Sequence, residues 1–191
     1  MYKTYSFQKD GWKKDDFLYC YSPICREFKQ FEQEDFCIVN GTSESTGKFD
    51  YISLLTKEKF HKGTVVETRC SFEKYGAPLI VLSDDIHQNK DGIWKYGLHF
   101  EAVGYENGVN VWRIQAAGED AVDNTNLIRQ KFHVEAGKGF LLRIKVEDSG
   151  FDVSLDSERF YVKADFIPEE FHAGITACEG INRFYELTVS E

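Results

Sequence analysis

The chain has 191 residues and a mass of 22.1 kDa, and no repeat, low-complexity stretch or linker divides it, so one β domain over residues 1–191 is expected. Hydrophobic residues at 42% and charged residues at 29% are enough to build a core and exclude a disordered chain. A net charge of −9 and a pI near 5.1 repel phosphate, so neither nucleic acid nor an anionic membrane is an expected partner.

The first ten residues, Met1 to Asp10, carry no apolar stretch followed by a small-residue cleavage site, and no run of about 18 apolar residues occurs. Cys20, Cys25, Cys37, Cys70 and Cys178 are odd in number and irregularly spaced, which points to reduced, mostly buried thiols and a cytoplasmic location rather than a disulfide framework. Ser22–Gln30 admits a short helical turn, although its apolar spacing is poor. Asn40–Gly47 and Ser83–Gly92 are rich in turn residues and are expected to be surface loops. In the second, Asp84, Asp85, Asn89 and Asp91 offer hard oxygen ligands. Their spacing is not that of an EF-hand, so a solvated loop stands beside a calcium site as the reading, and no other cofactor is expected.

Aromatic residues reach 15%, and short alternating segments fill the rest of the chain, as strands require. Between Tyr96 and Ala116 a hairpin turns near Asn107-Gly108. A two-residue Asn-Gly turn brings Trp112 and Ile114 beside His99 and Glu101. A bulged turn with Gly108 left-handed instead sets Tyr105 opposite Val109 and Glu101 opposite Arg113. The bulged register collects Leu98, Phe100, Ala102, Trp112, Ile114 and Ala116 on one face and His99, Glu101, Arg113 and Gln115 on the other, so burial favours it. Leu127–Val134 follows as a strand with Arg129, Lys131 and His133 outward. Residues 140–163 form the clearest unit. Phe140, Leu142, Ile144 and Val146 alternate with polar positions, and turns at 147–150 and 156–159 pair Val146 with Phe151 and Leu155 with Phe160.

From about Tyr96 to Val189 the chain resembles a galectin-like member of the concanavalin A-like lectin and glucanase superfamily. Phe132-His133-Val134-Glu135-Ala136-Gly137-Lys138-Gly139-Phe140-Leu141-Leu142-Arg143-Ile144 is similar to the stretch in which a Gly turn precedes an F-x-L-x-I strand. Phe151-Asp152-Val153-Ser154-Leu155-Asp156 with Phe160, then Gly174–Ala177 and Arg183–Val189, are similar to the strands that follow. The resemblance implies an all-β, antiparallel two-sheet sandwich, a jelly roll, with a sugar site on its concave sheet. It assigns His99 of Leu98-His99-Phe100 the family's hydroxyl-binding role. Glu101 stands where the family has Asn, Val103 where it has Arg, and the third strand, Asn126-Leu127-Ile128-Arg129, lacks the family's stacking Trp.

A sugar site needs planar polar groups for paired hydroxyls and an apolar ring face. His99, Glu101, Arg113, Gln115 and Arg129 are the candidate ligand-binding residues, and a carbohydrate or a glycan-derived small molecule is the expected partner. The competing reading is an ordinary cross-strand pair of Glu101 and Arg113 on a solvated sheet. No E-x-D-x-x-E strand, G-x-S-x-G, P-loop or H-E-x-x-H occurs, so no catalytic residue is assigned. A glycoside-active enzyme of the same superfamily and a protein-interaction module remain the alternatives.

Overall fold

The computed structural model describes residues 2–41 and 51–191. Fifteen strands run through them: β1 (Tyr2–Ser6), β2 (Phe17–Tyr19), β3 (Glu32–Gln33), β4 (Ile38–Val39), β5 (Ile52–His61), β6 (Val65–Ser83), β7 (Ile86–Gln88), β8 (Trp94–Tyr96), β9 (Leu98–Tyr105), β10 (Gly108–Ala116), β11 (Val122–Lys131), β12 (Phe140–Glu147), β13 (Gly150–Leu155), β14 (Glu158–Lys163) and β15 (Glu170–Ser190). Among the described residues the helical structure is one 3₁₀ turn, Lys14–Asp16. Ser22–Gln30 is not helical. It holds a turn in which the Cys25 N–H donates to the Ser22 carbonyl at 3.0 Å. The loop expected over residues 40–47 lies, beyond Gly41, outside the described residues. Each of the five cysteines is a buried thiol.

The strands pair antiparallel into two stacked sheets. In the first the order is β14-β13-β12-β6-β15-β1, and in the second β11-β10-β9-β6-β15-β5-β2. β6 and β15 belong to both because they are 19 and 21 residues long, far beyond the usual five or six. They turn the corner together where Gly180 pairs with Gly76. Gly180 has φ +64°, and a Cβ there would lie 2.1 Å from the Tyr75 carbonyl oxygen, so only glycine fits. Buried Asn182 holds the corner. Its Nδ2 donates to the Glu179 carbonyl (2.7 Å), and its backbone N–H donates to Asn40 Oδ1 (2.8 Å).

The core lies between the sheets. Phe60, Phe72, Phe100, Phe151, Phe171 and Phe184 are fully buried there, and Phe100 of the second sheet meets Phe151 of the first at 5.1 Å between ring centroids. Truncating such a ring typically costs about 3–5 kcal/mol. β12, β13 and β14 form the expected meander, with Val146 opposite Phe151. At the second turn Leu155 faces Glu158 and Val153 faces Phe160, because Asp156 takes φ +49° and closes a two-residue loop. That correction moves the register by two positions, so the apolar residues keep their common face.

The β9–β10 hairpin corrects the register more deeply. Tyr105 pairs with Gly108, Glu101 with Trp112, Phe100 with Arg113 and His99 with Ile114. The turn is Glu106-Asn107, and Gly108 has φ +128°, outside the left-handed helical region assigned to it. Packing explains the choice. A Cβ on Gly104 would come within 2.9 Å of Phe140, so this part of the core accepts Gly104, Val109 and Val111 but has no room for an indole. β11 also begins earlier than expected, pairing Ala116 with Val122, and shifts register opposite Val111 and Trp112.

Candidate functional site

The outer face of the second sheet is not a plain solvated surface. Ala77, Leu79, Val81 and Val103 make it apolar, because the second half of β6 is buried on both faces. Part of it lies under the segment that follows β2. Tyr21 exchanges backbone bonds with Trp94 (2.9 Å) and Tyr96 (3.1 Å). Lys95 Nζ donates to the carbonyls of Ser22 (3.1 Å) and Cys25 (3.2 Å). What the cover leaves open is a cleft of about 360 Å³, bounded by Ile24 on the covered side.

The pairing register builds this cleft in rows. One row runs Val81, Glu101, Trp112, Asn126, and the next runs Thr176, Leu79, Val103, Asn110, Arg129. Because directly opposed residues on an antiparallel pair share a face, Trp112 lies beside Glu101. Glu101 is 5% exposed, and its Oε1 meets Nε2 of His99 at 3.2 Å. His99 lies behind it with its ring 4.4 Å from that of Tyr96, whose hydroxyl is 2.5 Å from the Ser53 hydroxyl. A carboxylate offers about four lone-pair directions, so one imidazole leaves Glu101 able to accept from a ligand. Asn110 and Asn124 add amides, and Tyr105, Glu106 and Glu179 line the remaining wall. Burial, with Cys178 and the Glu101 carboxylate nearby, pushes the Tyr51 phenol far above its usual range, so it is held as a hydroxyl at the same wall.

The five residues singled out from sequence therefore divide. His99 and Glu101 are together on the cleft side. Arg113 and Gln115 pair with Phe100 and Leu98 and so face the sandwich interior at the sheet margin, away from Glu101. Arg129 is exposed on β11, its Nε donating to Asn110 Oδ1 at 3.2 Å. Trp112, Asn110, Asn124, Tyr51 and Glu179 went unnoticed. Trp112 was signalled by the alternative register, which already set it beside Glu101.

In the acidic loop, Asp85 Oδ2 accepts from the Leu98 N–H (2.8 Å) and Asn89 Oδ1 accepts from the N–H groups of Asp91 (3.0 Å) and Ile93 (2.9 Å). These two residues thus close the turns around the β7–β8 ribbon. Among the described residues no group of three or more His, Cys, Asp or Glu is placed to hold a metal ion. In a larger cavity of about 550 Å³ beside Phe28 and Lys95, two of the cations are already engaged, Lys95 by two carbonyls and Arg26 by Asp120. The cleft over Glu101 is thus where polar groups converge on an open apolar floor, as small-ligand sites do.

No protein-family model and no curated protein matches the sequence. Solved structures do match. The chain superposes on a carbohydrate-binding module of family 66 from Bacillus subtilis with TM-score 0.65 at 12% identity, covering 92% of this chain and 96% of the other. It superposes on β-agarase A from Zobellia galactanivorans with TM-score 0.68 at 9% identity, covering 99% and 92%. An immunostimulatory antigen and pseudo beta-1,3-glucanase of Mycobacterium tuberculosis gives TM-score 0.57 at 12% identity, covering 98% and 97%. The chain has the jelly-roll β-sandwich fold that these solved structures share.

Proposed function

We propose that this protein binds a saccharide in the cleft over Glu101 without cleaving it. The observation that carries this reading is the row Glu101–Trp112: a buried carboxylate that accepts sugar hydroxyls stands beside an indole face on which sugar C–H groups rest. Asn110 and Asn124 supply amides that both donate and accept. The structural neighbours lend support, since one is named as a carbohydrate-binding module and another as an agarase. Five buried thiols fit a reducing compartment such as the cytoplasm. A glycan array probed with the purified protein, with and without calcium, tests the reading. Selective retention on a few glycans is expected, and loss of that retention in the absence of calcium would give the Asp84–Asp91 loop a part in it.

A second reading is a glycoside-active enzyme, favoured by one observation: Glu101, Glu106 and Glu179 all line the same cleft. Hydrolysis needs two carboxyl groups about 5–9.5 Å apart across the bond. Incubating the array's best ligand with the protein and looking for shorter products separates the readings, because a binder returns the ligand intact.

A further inference from the structure

We infer that the cleft admits uncharged or amine-bearing saccharides and rejects uronate-containing and sulfated ones; this rests on the saccharide reading of the site. The charged residues among its lining are all acidic: Glu101, Glu106 and Glu179. Two basic side chains bonded to lining residues do not change this balance. His99 is buried behind Glu101, is bonded to it and takes no part in the lining. Arg129 reaches the site only through Asn110, its guanidinium exposed to water, where its field is screened. Glu101, by contrast, is 5% exposed, and a charge held in so little water acts strongly on whatever enters.

Hydrogen bonding points the same way. Three carboxylates accept and never donate, so a ligand must bring hydroxyl or amino protons to them. A ligand carboxylate or sulfate brings only further acceptors, for which the lining offers neutral donors such as the Asn110 and Asn124 amides but no cation. It also adds like charge beside a buried carboxylate, the arrangement that makes paired carboxyl groups resist joint ionisation. An amine-bearing sugar instead gains a charge-assisted bond.

Isothermal titration of matched pairs tests this: glucose against glucuronate oligomers, agaro-oligosaccharides against sulfated carrageenan oligosaccharides, and chitosan against chitin oligomers. The anionic member of the first two pairs should bind about tenfold or more weakly at low salt, and amine-bearing chitosan should bind more tightly than neutral chitin. The gap should narrow at about 0.5 M salt and in the Glu106→Gln/Glu179→Gln variant, whose replaced side chains are only half-buried and leave the fold intact. Equal or tighter binding of the anionic members overturns the inference while leaving a saccharide site in place. A gap indifferent to salt and to the variant overturns its electrostatic origin. Binding of no oligosaccharide at all overturns the saccharide reading itself.

Discussion

Trp112 stands directly across from Glu101 in the β9–β10 register, and the two share the outer face of the second sheet. Opposed residues on an antiparallel pair keep their Cβ atoms about 4.5–5.5 Å apart, so ring and carboxylate meet one ligand together. Trp112→Ala should therefore weaken saccharide binding about tenfold to a hundredfold by calorimetry. The indole is only partly buried, so the urea midpoint should move by no more than about 1 kcal/mol of stability. Unchanged affinity in this variant contradicts the role given to the ring.

The register that creates this pair depends on Gly108. A Cβ there would lie 2.0 Å from the Gln130 carbonyl oxygen, at φ +128°. Gly108→Ala should cost about 2 kcal/mol or more in urea unfolding, since both the backbone conformation and the β10–β11 ladder resist it. A neutral substitution would mean that β11 does not run where it is described.

The corner between the sheets offers a separate test. Asn182→Ala removes the bond to the Glu179 carbonyl from a fully buried side chain and should destabilise by about 1–3 kcal/mol. Because that bond fixes the backbone of Glu179, ligand affinity should fall in the same variant, whereas a stability loss with full affinity would detach the corner from the cleft.

His172 gives stability a pH dependence of known sign. Burial pushes its imidazole below the usual 6.5, against the opposing effect of the bond to the Thr56 carbonyl (2.8 Å). The unfolded chain then binds a proton that the folded chain refuses, so the stability is present above about pH 6.5 and declines as pH falls through the lowered folded value. Thermal midpoints of the wild type should drop more between pH 7 and 5 than those of His172→Gln. Parallel curves would remove His172 from the account.

Much of the fold was legible because period-two alternation in residues 140–163 needs no tertiary information to assign a face. The corner was not, since β6 and β15 read locally as ordinary strands and only the pairing of Gly76 with Gly180 shows each serving two sheets. The site was half legible. His99 and Glu101 followed from the strand they share, but Arg113 and Gln115 were placed with them by a one-position slip, which exchanges every side chain between faces. Apolar Trp112 and Ile114 point to a core-facing position only where one face of a sheet is apolar. The second sheet has apolar surface on both sides, so hydrophobicity does not choose the face at this hairpin.

Backbone and indole NMR shifts recorded while an array-selected oligosaccharide is titrated in test the central claim most directly. Perturbations should centre on the Trp112 indole, the Asn110 and Asn124 amides and Glu101. Perturbations confined to the outer face of the first sheet around Asp152 and Arg159, or to the side of β10 that carries Arg113, would contradict it.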